Sequence, residues 1–195
     1  MGLLSRLFGT ADPQRVEVAG SSGPERSSLD TATYFALVDS IRTWQSKREY
    51  HQMLECCAQS LPLLPSLVRD CRRQYGAFDI SSIPAIEVGC RYWAALGDCD
   101  NLRQVAEAVD QVAILKEEWG DVVQTAYSDM DLAVRIQACI VQNPGVLQNK
   151  LNKVVVAPGK DTARIINTLV NLGKVVRTRS GKTYELRVAG IDVTP

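Results

Sequence analysis

The sequence predicts a mostly α-helical protein, in which an α-helical bundle or repeat-like region precedes a smaller unit of short helices and two strands. Two observations lead to this fold class. From Leu29 onward, apolar residues recur at helical spacing for about a hundred residues. Near the carboxyl terminus, two segments with strand-like patterns flank the turn signal Ser180-Gly181. We therefore expect the chain to end in a hairpin that closes near Val188.

The same patterns divide the chain into four parts. Residues 1–28 are predicted to be a flexible segment, because residues 11–28 are rich in Pro, Gly and Ser. We expect an α-helical domain over residues 29–127, a second domain over residues 128–190 and a tail over residues 191–195. Residues 1–9 are an apolar run too short to span a bilayer, so we expect no stable membrane insertion. This run is interpreted as a frayed start or as a weak contact with a membrane or a partner.

Start and stop signals predict five helices in the α-helical domain. Asp30 or Thr31 can cap the first helix, which is expected to end near Lys47. The second helix is expected to begin at Glu49 and to stop before Pro62. The other three are predicted from Pro65 to Gly76, from a Ser82 cap to Gly97-Asp98, and from Asn101 to Trp119-Gly120.

The second domain is predicted to contain three further helices before its hairpin. The first begins at Ser128 or Asp129, the second spans Leu147 to Val155 with Val154 on its inner face, and the third spans Asp161 to Leu172. Opposite the apolar face of the third helix runs a polar stripe, in which every side chain can donate a hydrogen bond. The stripe consists of Lys160, Arg164, Asn167, Thr168 and Asn171.

The formal net charge is zero, but the two signs are segregated along the chain. From Pro144 to the end there are nine Lys or Arg against three Asp or Glu, and the rest of the chain has thirteen against nineteen. The two parts therefore carry +6 and −6. A basic end on an acidic body indicates a polyanionic partner for the basic end, although a lopsided solvated surface remains the alternative.

The six cysteines lie mostly within apolar helical runs, and no Cys-x-x-Cys pair occurs. The single histidine, His51, has no partner at zinc-ligand spacing, so no metal site is predicted. We interpret the cysteines as small buried hydrophobic residues and expect a reducing, cytoplasmic location. The adjacent Cys56 and Cys57 leave a thiol redox switch open.

A resemblance to a known family is carried by four parts of the second domain: Gln142–Val146 (QNPGV), Leu151, Thr162–Ile166 (TARII) and Leu169–Val176 (LVNLGKVV). This resemblance is to the winged helix-turn-helix family of DNA-binding regulators. It implies a Pro-Gly turn before the second helix, a third helix that acts as the recognition helix, and a hairpin that forms a basic two-stranded wing. The turn over residues 156–159 is longer and more apolar than is usual in the family.

The α-helical domain resembles tetratricopeptide repeats more weakly. The helix pair Ala85–Asp98 and Asn101–Val112, with an Ala-rich turn, carries this resemblance. No second copy is found at the period of about 34 residues that such repeats need, so a plain α-helical bundle remains open.

The resemblance and the charge pattern together imply double-stranded DNA as a partner. We expect the stripe and the hairpin to form one contiguous basic ridge, exposed to solvent, that fits the major groove. Arg164 and Asn167 are expected to contact base edges, and the remaining residues are expected to contact the phosphate backbone or, at the wing, the minor groove. The predicted DNA-binding residues are Lys150, Lys153, Lys160, Arg164, Asn167, Thr168, Asn171, Arg177, Arg179 and Lys182.

We expect a transcriptional regulator that acts as a homodimer, because one such module buries little surface on DNA. The α-helical domain would then provide the dimer surface or receive a signal or protein partner. The alternative is a non-enzymatic adaptor whose winged helix docks an acidic protein partner. Enzymatic activity is not expected, because the sequence has no Gly-rich phosphate loop, no nucleophile with a histidine base and no distinctive carboxylate pair. No catalytic residue and no cofactor is predicted.

Overall fold

The computed structural model describes residues 24–78 and 80–190, so the predictions for residues 1–23 and 191–195 lie outside the described residues. Within these residues the protein is mostly helical, with a small antiparallel sheet near the carboxyl terminus. The helices are α1 (Pro24–Lys47), α2 (Tyr50–Ser60), α3 (Leu64–Tyr75), α4 (Pro84–Leu96), α5 (Cys99–Asp110), α6 (Ala113–Gln142), α7 (Gln148–Val154) and α8 (Gly159–Asn171), and a 3-10 turn, Leu61–Leu63, links α2 to α3. The strands are β1 (Val146–Leu147), β2 (Val175–Ser180) and β3 (Thr183–Val188).

The first helix begins earlier than predicted. It starts at Pro24, so Asp30 and Thr31 lie inside it and do not cap it, and residues 24–28, which were predicted to belong to the flexible segment, are helical. The two side chains face α3 instead: Ser66 donates a hydrogen bond of 2.9 Å to Asp30, and Thr31 donates one of 2.6 Å to Asp70. Tertiary contacts with α3 therefore use the residues that were predicted to cap the helix.

The predicted cap of α4 is also displaced. Ile83 occupies the N-cap position, and Ser82 instead donates a hydrogen bond of 3.0 Å to the carboxylate of Glu87. At the other end of α4, Gly97 adopts the left-handed conformation (φ +72°) that commonly ends a helix. Asp98 then caps α5 by accepting a hydrogen bond from the backbone N–H of Asn101.

The helix predicted to end at Trp119-Gly120 is in fact two helices. α5 ends at Asp110, and α6 then continues without a break through Gly120, Ser128 and Asp129. A glycine inside a helix costs about 1 kcal/mol relative to alanine. Burial of Trp119 and Val123 on either side of Gly120 offsets this cost, because both side chains pack into the core. The boundary predicted between residues 127 and 128 therefore falls within one helix.

The carboxyl-terminal hairpin is confirmed, and the sheet contains a third strand that was not predicted. β2 and β3 pair antiparallel from Val175 opposite Val188 to Ser180 opposite Thr183. β1 pairs with the other edge of β3, so the strand order is β1-β3-β2. A two-residue strand shows no alternation in sequence, and for this reason β1 was missed.

The turn between α7 and α8 corrects one predicted core residue. Val154 is 59% exposed, whereas Val155 is buried. α7 ends at Val154, and Val156 then adopts a left-handed conformation with φ +50°. The backbone N–H of Ala157 donates to the carbonyl of Asn152, which closes the helix end and turns Val155 inward.

Two hydrophobic clusters form the interior, and α6 contributes to both. The larger cluster includes buried residues of α1 to α5 and of the first half of α6, such as Trp119 and Val123. The smaller cluster joins the second half of α6, such as Ile136 and Ile140, to α7, α8 and the sheet. Ala95 of α4 also belongs to the smaller cluster, so α4 and α6 connect the two parts of the protein.

Candidate functional site

α8 is held between the small sheet and the α-helical body. Its apolar face, which includes Ile165, Ile166 and Leu169, is buried in the smaller cluster. Of the predicted stripe on the other side, Lys160, Asn167 and Asn171 are exposed. Arg164 is only partly exposed and Thr168 is buried. The expected continuous solvent-facing ridge is therefore interrupted at Arg164 and Thr168, because α8 packs against α4 and α6 at these positions.

Arg164 is engaged in an ion pair with the acidic body. Its two terminal nitrogens donate hydrogen bonds of 2.6 Å to the two carboxylate oxygens of Asp129 on α6. The Arg164 side chain is 37% exposed and the Asp129 side chain 13% exposed, and Asp161 lies 3.7 Å from the same guanidinium group. The hydrogen bonds to Asp129 raise the pKa of Arg164, and burial opposes this shift. The residue predicted to read bases thus joins α8 to α6.

Two further stripe residues contact their own helix or α4. Thr168 donates a hydrogen bond of 3.1 Å to the backbone carbonyl of Arg164. Asn171 lines the same cleft as Tyr92 of α4, whose ring stacks on that of Tyr50 at 5.2 Å between centroids. Burial raises the pKa of Tyr92, and the nearby side chain of Asn171 opposes the shift. These contacts fix one side of α8 against the body.

The β2–β3 hairpin contacts the exposed face of α8. Arg177 of β2 donates a hydrogen bond of 2.5 Å to the side-chain oxygen of Asn167. The guanidinium group of Arg177 also lies over the ring of Tyr184, 5.0 Å from its centroid. The amide group of Asn167 is thereby oriented with its nitrogen free to donate. Arg179 and Lys182 are exposed at the turn of the hairpin, as expected of a charged tip.

The remaining predicted cations are exposed and free to meet a ligand. Within residues 24–78 and 80–190, the following have no ion-pair partner: Lys150, Lys153, Lys160, Arg179 and Lys182. A cavity of about 290 Å³ lies between α7, the start of α8 and the β2–β3 hairpin, and its lining includes Asn152, Lys182 and Tyr184. Of the five cations, Lys182 lines this cavity.

Two residues near this site were not singled out from the sequence as site residues, namely Asp129 as the partner of Arg164 and Arg91 of α4. Arg91 is exposed and lines a cleft together with Lys160 and Asn167. Neither residue belongs to a local motif, and each meets α8 only through the packing of distant helices. No signal in a single sequence would have identified them.

The thiols are divided between buried and exposed positions. Cys57, Cys90 and Cys139 are buried, as predicted, whereas Cys56 and Cys71 are half-buried and Cys99 is exposed. Burial raises the pKa of Cys57 and of Cys90 to about 12. Both thiols are therefore protonated, and poor nucleophiles, near neutral pH. Among the residues that the structure describes, no group of His, Cys, Asp and Glu side chains has an arrangement that would hold a metal ion.

No helix in the described part of the chain combines the length and apolar character needed to cross a membrane. Comparison with protein-family models, curated proteins and solved structures gave no match for this chain.

Proposed function

We propose that the chain is a double-stranded DNA-binding protein, and a transcriptional regulator, in which residues 128–190 act as a winged helix-turn-helix. The order of elements supports this proposal: the end of α6, β1, α7, α8 and the β2–β3 hairpin follow one another as in that motif. In the proposal α8 is the recognition helix and the hairpin is the wing.

The observation that carries the proposal is the set of exposed, unpaired cations on this unit. Lys150 and Lys153 lie on α7, Lys160 at the start of α8, and Arg179 and Lys182 at the hairpin. The body has exposed cations without ion-pair partners among the described residues too, such as Arg72 and Arg73, but Asp and Glu outnumber Lys and Arg there by nineteen to thirteen, whereas from Pro144 onward nine Lys or Arg stand against three Asp or Glu. An excess of cations on one unit favours a polyanion with closely spaced phosphates.

In this proposal the stripe residues have different roles. Asn167 is the best candidate for a base contact, since Arg177 orients its amide and leaves the nitrogen free to donate. Arg164 positions α8 on the body through Asp129. Thr168 and Asn171 assist this positioning, and the five unpaired cations contact phosphates.

Salt dependence provides the test. If five cations of each protomer meet phosphates, the logarithm of the association constant should fall with the logarithm of salt concentration at a slope of about −4.5 per protomer. Fluorescence anisotropy with a labelled random duplex measures this slope. The double variant Lys160→Ala, Lys182→Ala should reduce its magnitude by about 2. The matched control is Arg72→Ala, Arg73→Ala, which removes two exposed cations of α3.

Binding that does not change between low and moderate salt would refute the proposal. Equal losses of duplex affinity in the Lys160→Ala, Lys182→Ala variant and in the α3 control would also refute it, because the location of the charge would then be irrelevant. Sedimentation of the protein with and without a duplex tests the further proposal that the regulator acts as a homodimer, which predicts two protomers on one duplex.

A second candidate function is an adaptor that docks an acidic protein. The engagement of Arg164 by Asp129 favours it, because the central cation of α8 is already paired and a full insertion of this helix into a major groove is not required for docking. Polyglutamate is a simple probe for this function. If the protein is an adaptor, the wild-type protein should bind polyglutamate and should form no complex with the random duplex at low salt.

A further inference from the structure

A cleft between α4 and α8 lies where the acidic body meets the basic unit. Its volume is about 510 Å³, within the roughly 300–1,000 Å³ typical of ligand pockets. α4 contributes Arg91 and Tyr92, and α8 contributes Lys160, Arg164, Asn167 and Asn171 among others. Three of these residues are cations, and no Asp or Glu is found among the described residues that line the cleft. The lining is thus suited to an anion.

Several donors in the cleft are available to a ligand. Arg91 and Lys160 are exposed, and neither has an ion-pair partner within the described residues. Asn167 accepts from Arg177 through its oxygen, so its amide nitrogen remains free to donate. Arg164 forms part of the wall of the cleft, but its charge is largely balanced by Asp129, so it is not counted among the available donors.

An adjoining cavity limits where an anion can lie. It has a volume of about 430 Å³, and its lining includes the acidic residues Glu87, Asp121 and Asp129. Arg91 and Arg164 line both spaces, so they separate the acidic cavity from the cleft. An anion would be repelled by the three carboxylates and would remain near Lys160 and the amides of α8.

We infer that the α4–α8 cleft is a phosphate-binding site to which the body contributes Arg91. The phosphates have two possible sources, the backbone of a DNA duplex bound to α8 or a free polyphosphate compound. If the phosphates belong to a duplex, the inference rests on the proposed DNA binding and adds a contact from Arg91, which lies outside the basic unit. If they belong to a free polyphosphate compound, the inference is independent of DNA. Arginine suits either source, because its guanidinium group can donate two parallel hydrogen bonds to phosphate oxygens.

The test compares the wild-type protein with Arg91→Ala and Arg91→Lys, and uses Arg73→Ala on α3 as the matched control. Each protein is titrated with a labelled random duplex at two salt concentrations and, separately, with tripolyphosphate by calorimetry. Arg91 is exposed, so its replacement should leave the fold intact, and thermal unfolding checks this.

For the duplex form, Arg91→Ala should weaken binding about three- to tenfold and lower the magnitude of the salt slope by about 0.9. Arg91→Lys should keep the slope and recover part of the affinity, and Arg73→Ala should behave as wild type. For the free-compound form, tripolyphosphate should bind the wild-type protein and lose its heat signal in Arg91→Ala, while duplex binding is unchanged.

The outcomes separate this inference from the proposed function. If the wild-type protein binds the duplex and Arg91→Ala changes neither titration, the cleft site is wrong and the DNA-binding proposal stands. If the duplex does not bind but tripolyphosphate does so through Arg91, the cleft site stands and the DNA-binding proposal is wrong. If neither ligand binds the wild-type protein, both are wrong.

Discussion

The ion pair between Arg164 and Asp129 should make a measurable contribution to stability. Exposed ion pairs contribute about 0–1 kcal/mol, whereas removal of one partner from a buried pair costs about 3–5 kcal/mol. The Asp129 side chain is 13% exposed and that of Arg164 is 37% exposed, so this pair lies between the two limits. Its two hydrogen bonds of 2.6 Å have the bidentate geometry that strengthens such pairs. After a discount for solvent around Arg164, we expect a coupling energy of about 2 kcal/mol.

A double-mutant cycle measures this coupling. The variants are Asp129→Asn, Arg164→Gln and the double change. Each protein is unfolded in urea, and the free energies of unfolding are compared with a common slope against urea concentration. The control cycle uses Asp100→Asn and Arg103→Gln on α5, where the two side chains are 80% and 64% exposed. The control should give a coupling below about 0.5 kcal/mol. Equal coupling energies in the two cycles would refute the view that Arg164 fixes α8 to the body.

Three further predictions concern single positions away from this pair. Gly120→Ala should raise the free energy of unfolding by up to about 1 kcal/mol in thermal or urea unfolding, because an added Cβ meets no atom within 4 Å and the helical propensity improves. Val156→Gly should stabilise by about 1 kcal/mol, since a β-branched residue here has a φ of +50° at a helix end where glycine is preferred; a loss of stability would contradict this. Burial raises the pKa of Cys57 and Cys90 from 9.0 to about 12. The stability that these neutral thiols contribute is therefore fully present below pH 9 and is lost as the pH rises toward 12. The free energy of unfolding should therefore fall over this alkaline range, and less steeply in a variant with both thiols replaced by alanine.

Local chemistry made most helix and strand boundaries predictable. Gly76 and Gly97 end α3 and α4 in left-handed conformations, and proline occupies the first turns of α3 and α4, as their positions in the sequence indicate. Errors occurred where tertiary contacts outweighed a local signal. The sequence predicts a helix stop at Gly120, but this residue lies between the buried residues Trp119 and Val123 of α6, and their burial keeps the helix continuous.

The candidate site was only partly predictable for the same reason. The position of a residue on a helix face follows from its spacing, so the common side of Lys160 and Asn167 could be recognised from the sequence. What that side meets in space depends on how α8 packs. The carboxylate of Asp129 is 35 residues away from Arg164 along the chain, and Arg91 is farther still. Sequence spacing carries no information about such contacts.

If the chain binds DNA as proposed, the energetics of Arg164 limit how α8 recognises it. A bidentate arginine–guanine contact provides about 1–3 kcal/mol of discrimination between bases. Release of Arg164 from Asp129 would lose about 2 kcal/mol and leave a carboxylate that is 13% exposed without its partner, close to DNA phosphates. Replacement of the Arg164–Asp129 ion pair by an Arg164–guanine contact thus yields little net free energy. Repulsion between the Asp129 carboxylate and the DNA phosphates also opposes it. Sequence discrimination in the proposed complex must therefore come chiefly from groups that need no release, of which Asn167 is the best placed. An Asn167→Ala variant that loses its preference for a selected site to a greater extent than its affinity for a random duplex would fit this conclusion, whereas a loss of preference only in Arg164→Gln would overturn it.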